Sequence, residues 1–174
     1  MTRESNLTRM PQNTSLLQST KYTFSFPNLP FLNYFVTNVN IPGISTNEVT
    51  IPTPFSETYR HGDKIVFEPL VVNILVDEDL RAWEETHNWL ISLTFPRRFE
   101  EYATNQSKPQ FKDKYYDSIL TVNTNSNLSN MRLKFRNCHP TSLTGLQFST
   151  NDSELENITA AVTFRYDYYD IERL

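Results

Sequence analysis

Residues 64–77, KIVFEPLVVNILVD, constrain the fold of this chain more than any other stretch. Val66, Leu70, Val72, Ile74 and Val76 alternate onto one face, and Phe67, Val71 and Leu75 make the other face apolar as well. A strand apolar on both sides belongs inside a sheet that is covered on both faces. Pro69 has no N–H to give a ladder, so it marks a bulge or an unpaired position near the strand's start.

The next residues switch period. Over about 78–93, Leu80, Trp83, His87 and Leu90 recur at helical spacing, which predicts one helix packing that face on the sheet, with Trp89 and Ile91 to either side. Asp77 is placed to cap its start, Glu78 and Asp79 put negative charge in the first turn, and Pro96 stops it. Everything else reads as strand and loop. KYTFSF (21–26) alternates Tyr22, Phe24 and Phe26 with polar residues, and NYFVTNVN (33–40) is a second strand expected to pair with it as a hairpin across Pro27 and Pro30. SILTVN (118–123) and MRLKFRN (131–137) form another hairpin. LQFS (146–149) and a turn-rich stretch follow, and ENITAAVTFRYDYYDI (156–171) places Ile158, Ala160, Val162, Phe164, Tyr166 and Tyr168 on one face.

A chain of 174 residues with 38% hydrophobic and 13% aromatic content suffices for one core and is short for two. The expected organisation is a polar N-terminal arm over 1–20 and a single domain over 21–174. The fold class is mainly β (α+β), an antiparallel sandwich or barrel-like sheet with one flanking helix and long interstrand loops. Two connections are long for a compact domain, 41–63 and 97–117, and the first carries Ile44, Val49, Ile51, Phe55 and Tyr59. Apolar side chains on an exposed excursion want a partner surface.

Candidate chemistry is sparse. Arg60-His61-Gly62 is the tripeptide that holds the nucleophilic histidine of histidine phosphatases, but no buried strand precedes it and no second histidine or arginine cluster completes a phosphate pocket. It reads instead as a turn, Gly62-Asp63, opening the strand at Lys64. His61, His87 and His139 lack metal-ligand spacing. Cys138 and His139 are neighbours on a strand and point to opposite faces, a poor arrangement for proton exchange. Neither a catalytic group, a metal nor a cofactor is expected. Net charge is −4, which gives no field for gripping nucleic acid. The stripe Arg132, Lys134, Arg136 could meet phosphates but lacks interleaved aromatics, and salt bridges to a neighbouring subunit are at least as good a reading of it. No run approaches the roughly 18 apolar residues of a membrane helix, and the N-terminus lacks a signal-peptide core. A soluble, non-secreted protein is expected.

In order, VNIPGIS after an early hairpin, the excursion ending RHGDKIVFEPLVVNILVDEDLRAWEETHNWL, and the closing TGLQFSTNDSELENITAAVTFRYDYYDI resemble the tail tube proteins of contractile-tailed bacteriophages. The resemblance spans about 20–171; the arm before Lys21 and the polar 97–117 connection depart from it. It implies homo-hexameric rings stacked into an inner tube, with a sheath outside. It further implies baseplate and tail-terminator proteins at the ends, and a tape measure protein and double-stranded DNA in the lumen, held without sequence-specific binding. The location implied is the virion tail, assembled in the host cytoplasm, with no membrane. The alternative within the same fold is a component that starts or terminates the tube. On this reading Ile44, Val49, Ile51, Phe55, Tyr59, Arg132, Lys134 and Arg136 are the expected subunit-interface residues.

Overall fold

The computed structural model describes residues 13–94, 114–150 and 157–174. Part of the expected arm (1–12), most of the polar connection (up to 113) and the turn at 151–156 therefore lie outside the described residues. In chain order the elements are β1 (Tyr22–Ser25), α1 (Pro30–Phe35), β2 (Val36–Val39), β3 (Ile44–Pro52), β4 (Glu57–Phe67), β5 (Leu70–Leu75), α2 (Arg81–Leu93), β6 (Tyr116–Asn123), β7 (Ser129–Leu143), β8 (Thr159–Arg165) and β9 (Tyr169–Arg173).

One antiparallel sheet of seven strands runs β1-β6-β7-β8-β5-β2, with β9 also on β7. Its spine is the long strand β7. Leu143 faces Val162, His139 faces Arg165, Phe135 faces Tyr169 and Met131 faces Arg173, so β8 and β9 are two halves of one run along the same edge of β7. Arg136 N donates to Tyr168 O and Asp167 N to Arg136 O across the junction. The sheet then curls until its outermost strands meet, where Tyr22 Oη donates to Thr37 O at 2.6 Å. Antiparallel pairing throughout and this near-closure give the barrel-like, mainly β fold expected from the sequence.

The core forms inside the curl. Phe26, Leu32, Leu70, Val72, Ile74, Trp89, Leu133, Phe135, Val162 and Phe164 are fully or almost fully buried, each contributing roughly 1.5–3 kcal/mol by leaving water. Phe26 sits at its centre, edge-on to Trp89 at 5.8 Å and tilted on Phe164 at 4.9 Å.

Four local expectations are corrected. First, β1 and the strand after it do not form a hairpin: β1 pairs with β6, β2 pairs with β5, and a second helix, α1, stands between them. Pro30 does not break structure there but starts it, because the first helical position has no use for an N–H. Asn33 then clips the helix to the strand end, accepting from Phe26 N and donating to Phe26 O, both at 2.6 Å.

Second, α2 begins at Arg81 and turns a different face inward. Leu80 precedes it in left-handed backbone (φ 59°), and Asp77 reaches forward to accept from Arg81 N and Ala82 N. The buried residues are Ala82, Glu85, Thr86, Trp89 and Ser92, while Trp83 and His87 stack on each other half-exposed and Leu80 is exposed. Third, 64–77 is two strands: β4 leaves the body before Pro69, so Ile65 and Val66 are exposed and only Leu70, Val72 and Ile74 enter the core. Fourth, the alternation of the last segment ends at Tyr166. Past Asp167 the phase slips, so Tyr168 faces solvent and Tyr169 packs on Phe67 and Phe135 instead.

Candidate assembly surface

β3 and β4 pair only with each other and make a two-stranded arm that projects from the body. None of the residues of β3 is buried, and none of β4. Alternation nevertheless places large apolar groups along it. Val49 and Ile51 share a face with their cross-strand partners Arg60 and Thr58, and Tyr59 lies opposite Thr50 on the other face. Ile44 and Ile65 occupy one face near the root. At the tip, Thr53 N donates to Ser56 O, Ser56 N donates back to Thr53 Oγ1, and Phe55 stands 99% exposed. An apolar set of this size outside the core is far more than the scattered exposed residues of a typical monomer surface.

The arm's turn is at 53–56, so Gly62-Asp63 is not the turn expected from the sequence but lies within β4. The ladder pairs Thr46 with Ile65 and Glu48 with His61, leaving 62–64 opposite Asn47 alone. A Cβ at Gly62 would stand 2.3 Å from Asn47 O. Gly62 is there because a bulge brings another backbone against it. His61 is an exposed ladder residue facing Glu48.

The basic stripe is placed differently from the arm. It lies on the outward face of β7, and its counter-charges come from the same chain. Lys134 Nζ is 2.9 Å and Arg132 Nη1 3.7 Å from Glu172 on β9, and Arg136 bridges Asp117 on β6 (2.5 Å) and Asp170 on β9 (3.4 Å). Lys134 holds the Glu172 carboxyl below its ordinary range, and Asp117 holds the Arg136 guanidinium above its own. Asp117 also accepts from Asn137 N at 3.1 Å, where Asn137 takes left-handed backbone at a bulge.

The remaining candidate groups stay apart. Cys138 is buried beside Ser118 (Sγ to Oγ 3.4 Å) and burial pushes its thiol up to about 11, while His139 lies on the other face, edge-on to Tyr115. Among the described residues, no three His, Cys, Asp or Glu side chains gather as metal ligands, and no helix is long and apolar enough to cross a membrane. One buried ionisable group was not anticipated. Glu85 on α2 is 7% exposed and accepts from Leu32 N at 3.2 Å, in the first turn of α1, while its Oε1 is buried with no partner. Burial raises its pKa, partly opposed by backbone bonds from Leu32 and Phe31. Through its bond to Leu32 N it is the side chain that ties the two helices together.

An antiparallel barrel-like body that carries its most apolar arm outside its own core has the build of a structural component. The chain belongs to the phage tail tube protein family, whose model matches residues 7–172. It is 24% identical over 161 residues to the tail tube terminator protein of Enterobacteria phage T4, covering 89% of this chain and 88% of that one. Its fold is similar to a chain of the anti-feeding prophage baseplate (TM-score 0.61, 10% identity, 92% of this chain and 97% of the other). It is also similar to the anti-feeding prophage tube terminating cap (TM-score 0.57, 11% identity, 95% and 96%). A chain of the sheath/tube terminator of an extracellular contractile injection system shares it too (TM-score 0.53, 14% identity, 91% and 97%). The family and the fold relatives are structural proteins of tails and tubes.

Proposed function

We propose that this chain is a tube-end component of a contractile phage tail, a subunit with the tail tube fold that terminates the tube. The observation that carries this reading is the end-to-end match to the phage T4 tail tube terminator, which spans nearly the whole of both chains. The fold shared with tube-terminating caps agrees with it. Several copies associate as a ring, in number matching the six-membered rings implied by the tube resemblance. The arm β3–β4 crosses to a neighbour and buries Ile44, Val49, Ile51, Phe55 and Tyr59 there. Residues 21–174 act as one unit behind the arm at 1–20. The partners are tube subunits below and the sheath around. Double-stranded DNA passes without sequence-specific contact.

The test is negative-stain microscopy of the purified protein alone and mixed with preformed tail tubes, with the protein gold-labelled. Rings alone and label confined to tube ends are expected. Long tubes formed by the protein itself would assign it instead to the body of the tube, the reading favoured by the family match, and label along the whole tube would do the same. Deleting 45–60 should leave a folded monomer that neither forms rings nor binds ends.

A further inference from the structure

The arm leaves the body at 67–69, where Pro69 interrupts the ladder between β4 and β5. An interruption of this kind is ordinarily a hinge, because carbonyls without ladder partners are free to reorient. Here all three successive carbonyls are taken by side chains from elsewhere in the chain. Phe67 O accepts from Arg165 Nη1 at 3.3 Å, Glu68 O from Tyr166 Oη at 2.9 Å, and Pro69 O from Asn40 Nδ2 at 3.3 Å. Asn40 does more, since its Oδ1 accepts from Val71 N at 2.6 Å and its own N donates to Val71 O. On the other strand, Gly43 O accepts from Glu68 N and Gly43 N donates to Glu68 Oε2. Phe67 is packed against both Tyr166 and Tyr169.

We propose that Asn40, Arg165 and Tyr166 are positioning residues that lock the root of the β3–β4 arm, so that the isolated chain presents the arm at one fixed angle before any partner is bound. The benefit to assembly rests on the proposed function: a preset arm avoids the ordering cost that a swinging one would pay on association. Arg165 ends β8 with Tyr166 next to it, and Asn40 directly follows β2, so the angle is referenced to both halves of the sheet.

The lock is measured on the isolated chain. Spin labels on Phe55→Cys at the tip and Leu128→Cys, exposed at the β6–β7 turn, give a tip-to-body distance distribution; the buried Cys138 stays unlabelled. A single narrow distance is expected for the otherwise unaltered chain. Tyr166→Phe removes one hydroxyl and keeps the ring packing. It should broaden the distribution, with roughly a fivefold larger displaced population per hydrogen bond lost. Asn40→Ala should broaden it further. A circular dichroism melt of each variant confirms that the body is folded. Distributions as narrow as the parent's in both variants would overturn the lock, as would a broad distribution in the parent itself. Sedimentation of the same variants reads association separately, so a parent chain that never associates would refute the proposed function while leaving the lock standing.

Discussion

Replacing Gly62 with alanine isolates the arm from the rest of the molecule. The new Cβ would lie 2.3 Å from Asn47 O and 2.9 Å from Asn47 C, both backbone atoms that no rotamer change can move. The bulge must open, and overpacking of this kind costs about 1–3 kcal/mol. Because a two-stranded hairpin without a third strand is marginal to begin with, that cost converts directly into a formed-arm population about 5- to 150-fold lower relative to the open form. The body should not notice, since no residue of β3 or β4 is buried in it. The expected result is a melting temperature close to wild type, fast hydrogen exchange confined to 44–67 by mass spectrometry, and weaker self-association in sedimentation equilibrium. Gly145→Ala is the control, because a Cβ there meets nothing within 4 Å. A Gly62→Ala chain that keeps protected arm amides and wild-type association would refute the reasoning, and so would one whose body melts early.

Glu85 gives a pH signature with a definite sign. Its folded pKa lies above the unfolded one, so the folded chain holds the proton more tightly and loses stability as pH rises upward from the ordinary carboxylate value of 4.5. Glu85→Gln should therefore match or exceed wild type in denaturant titrations at pH 7 and converge with it near pH 4, whereas Glu85→Ala, which uncaps α1 and leaves a void, should cost about 2–3 kcal/mol. Trp89→Ala should cost about 3–5 kcal/mol and abolish the cooperative thermal transition or lower it steeply, because Trp89 packs on Phe26, Tyr116 and Phe164 and donates Nε1 to Lys114 O. His61→Ala, on an exposed ladder position, should leave melting, association and phage infectivity unchanged; a large loss of infectivity with intact association would reopen a chemical role for it.

Where burial follows apolarity, residue pattern alone was enough to read the fold. The alternation Ala160, Val162, Phe164, Tyr166 and that of Leu133 and Phe135 are the core of the sheet, and the excursion at 41–63 is the arm. Where polar residues are buried, pattern pointed the wrong way. The inner face of α2 is Ala82, Glu85, Thr86, Trp89 and Ser92, with its hydroxyls satisfied locally: Thr86 Oγ1 donates to Ala82 O and Ser92 Oγ to Trp89 O. Those bonds lie within one turn of helix and leave no trace in hydrophobic spacing, so the more apolar Leu80, Trp83, His87, Leu90 stripe looked like the inner one. The arm's extent is hidden in the sequence for a different reason. Ile65 and Val66 are as apolar as Val72 and Ile74, and only the pairing partner, β3 rather than β8, decides which of them meets water. The turn assigned to Gly62-Asp63 was a case of a true glycine requirement with the wrong cause, a close backbone in place of a reversal. The cations of the stripe are legible, but their partners lie between 19 and 40 residues away on β6 and β9, beyond what local spacing can reveal.

That stripe has one more consequence. Arg132 and Lys134 share Glu172 and Arg136 takes both Asp117 and Asp170, so these three cations on the outward face of β7 meet three carboxylates of the same chain. Nucleic acid binds tightly where free cations neutralise its phosphates and release the counterions condensed on it, with a salt slope of about 0.9 per phosphate neutralised, and here the cations are already engaged by carboxylates. Nucleic acid brought against this face would find neither adhesion nor a barrier, and its encounter with the surface would be indifferent to ionic strength.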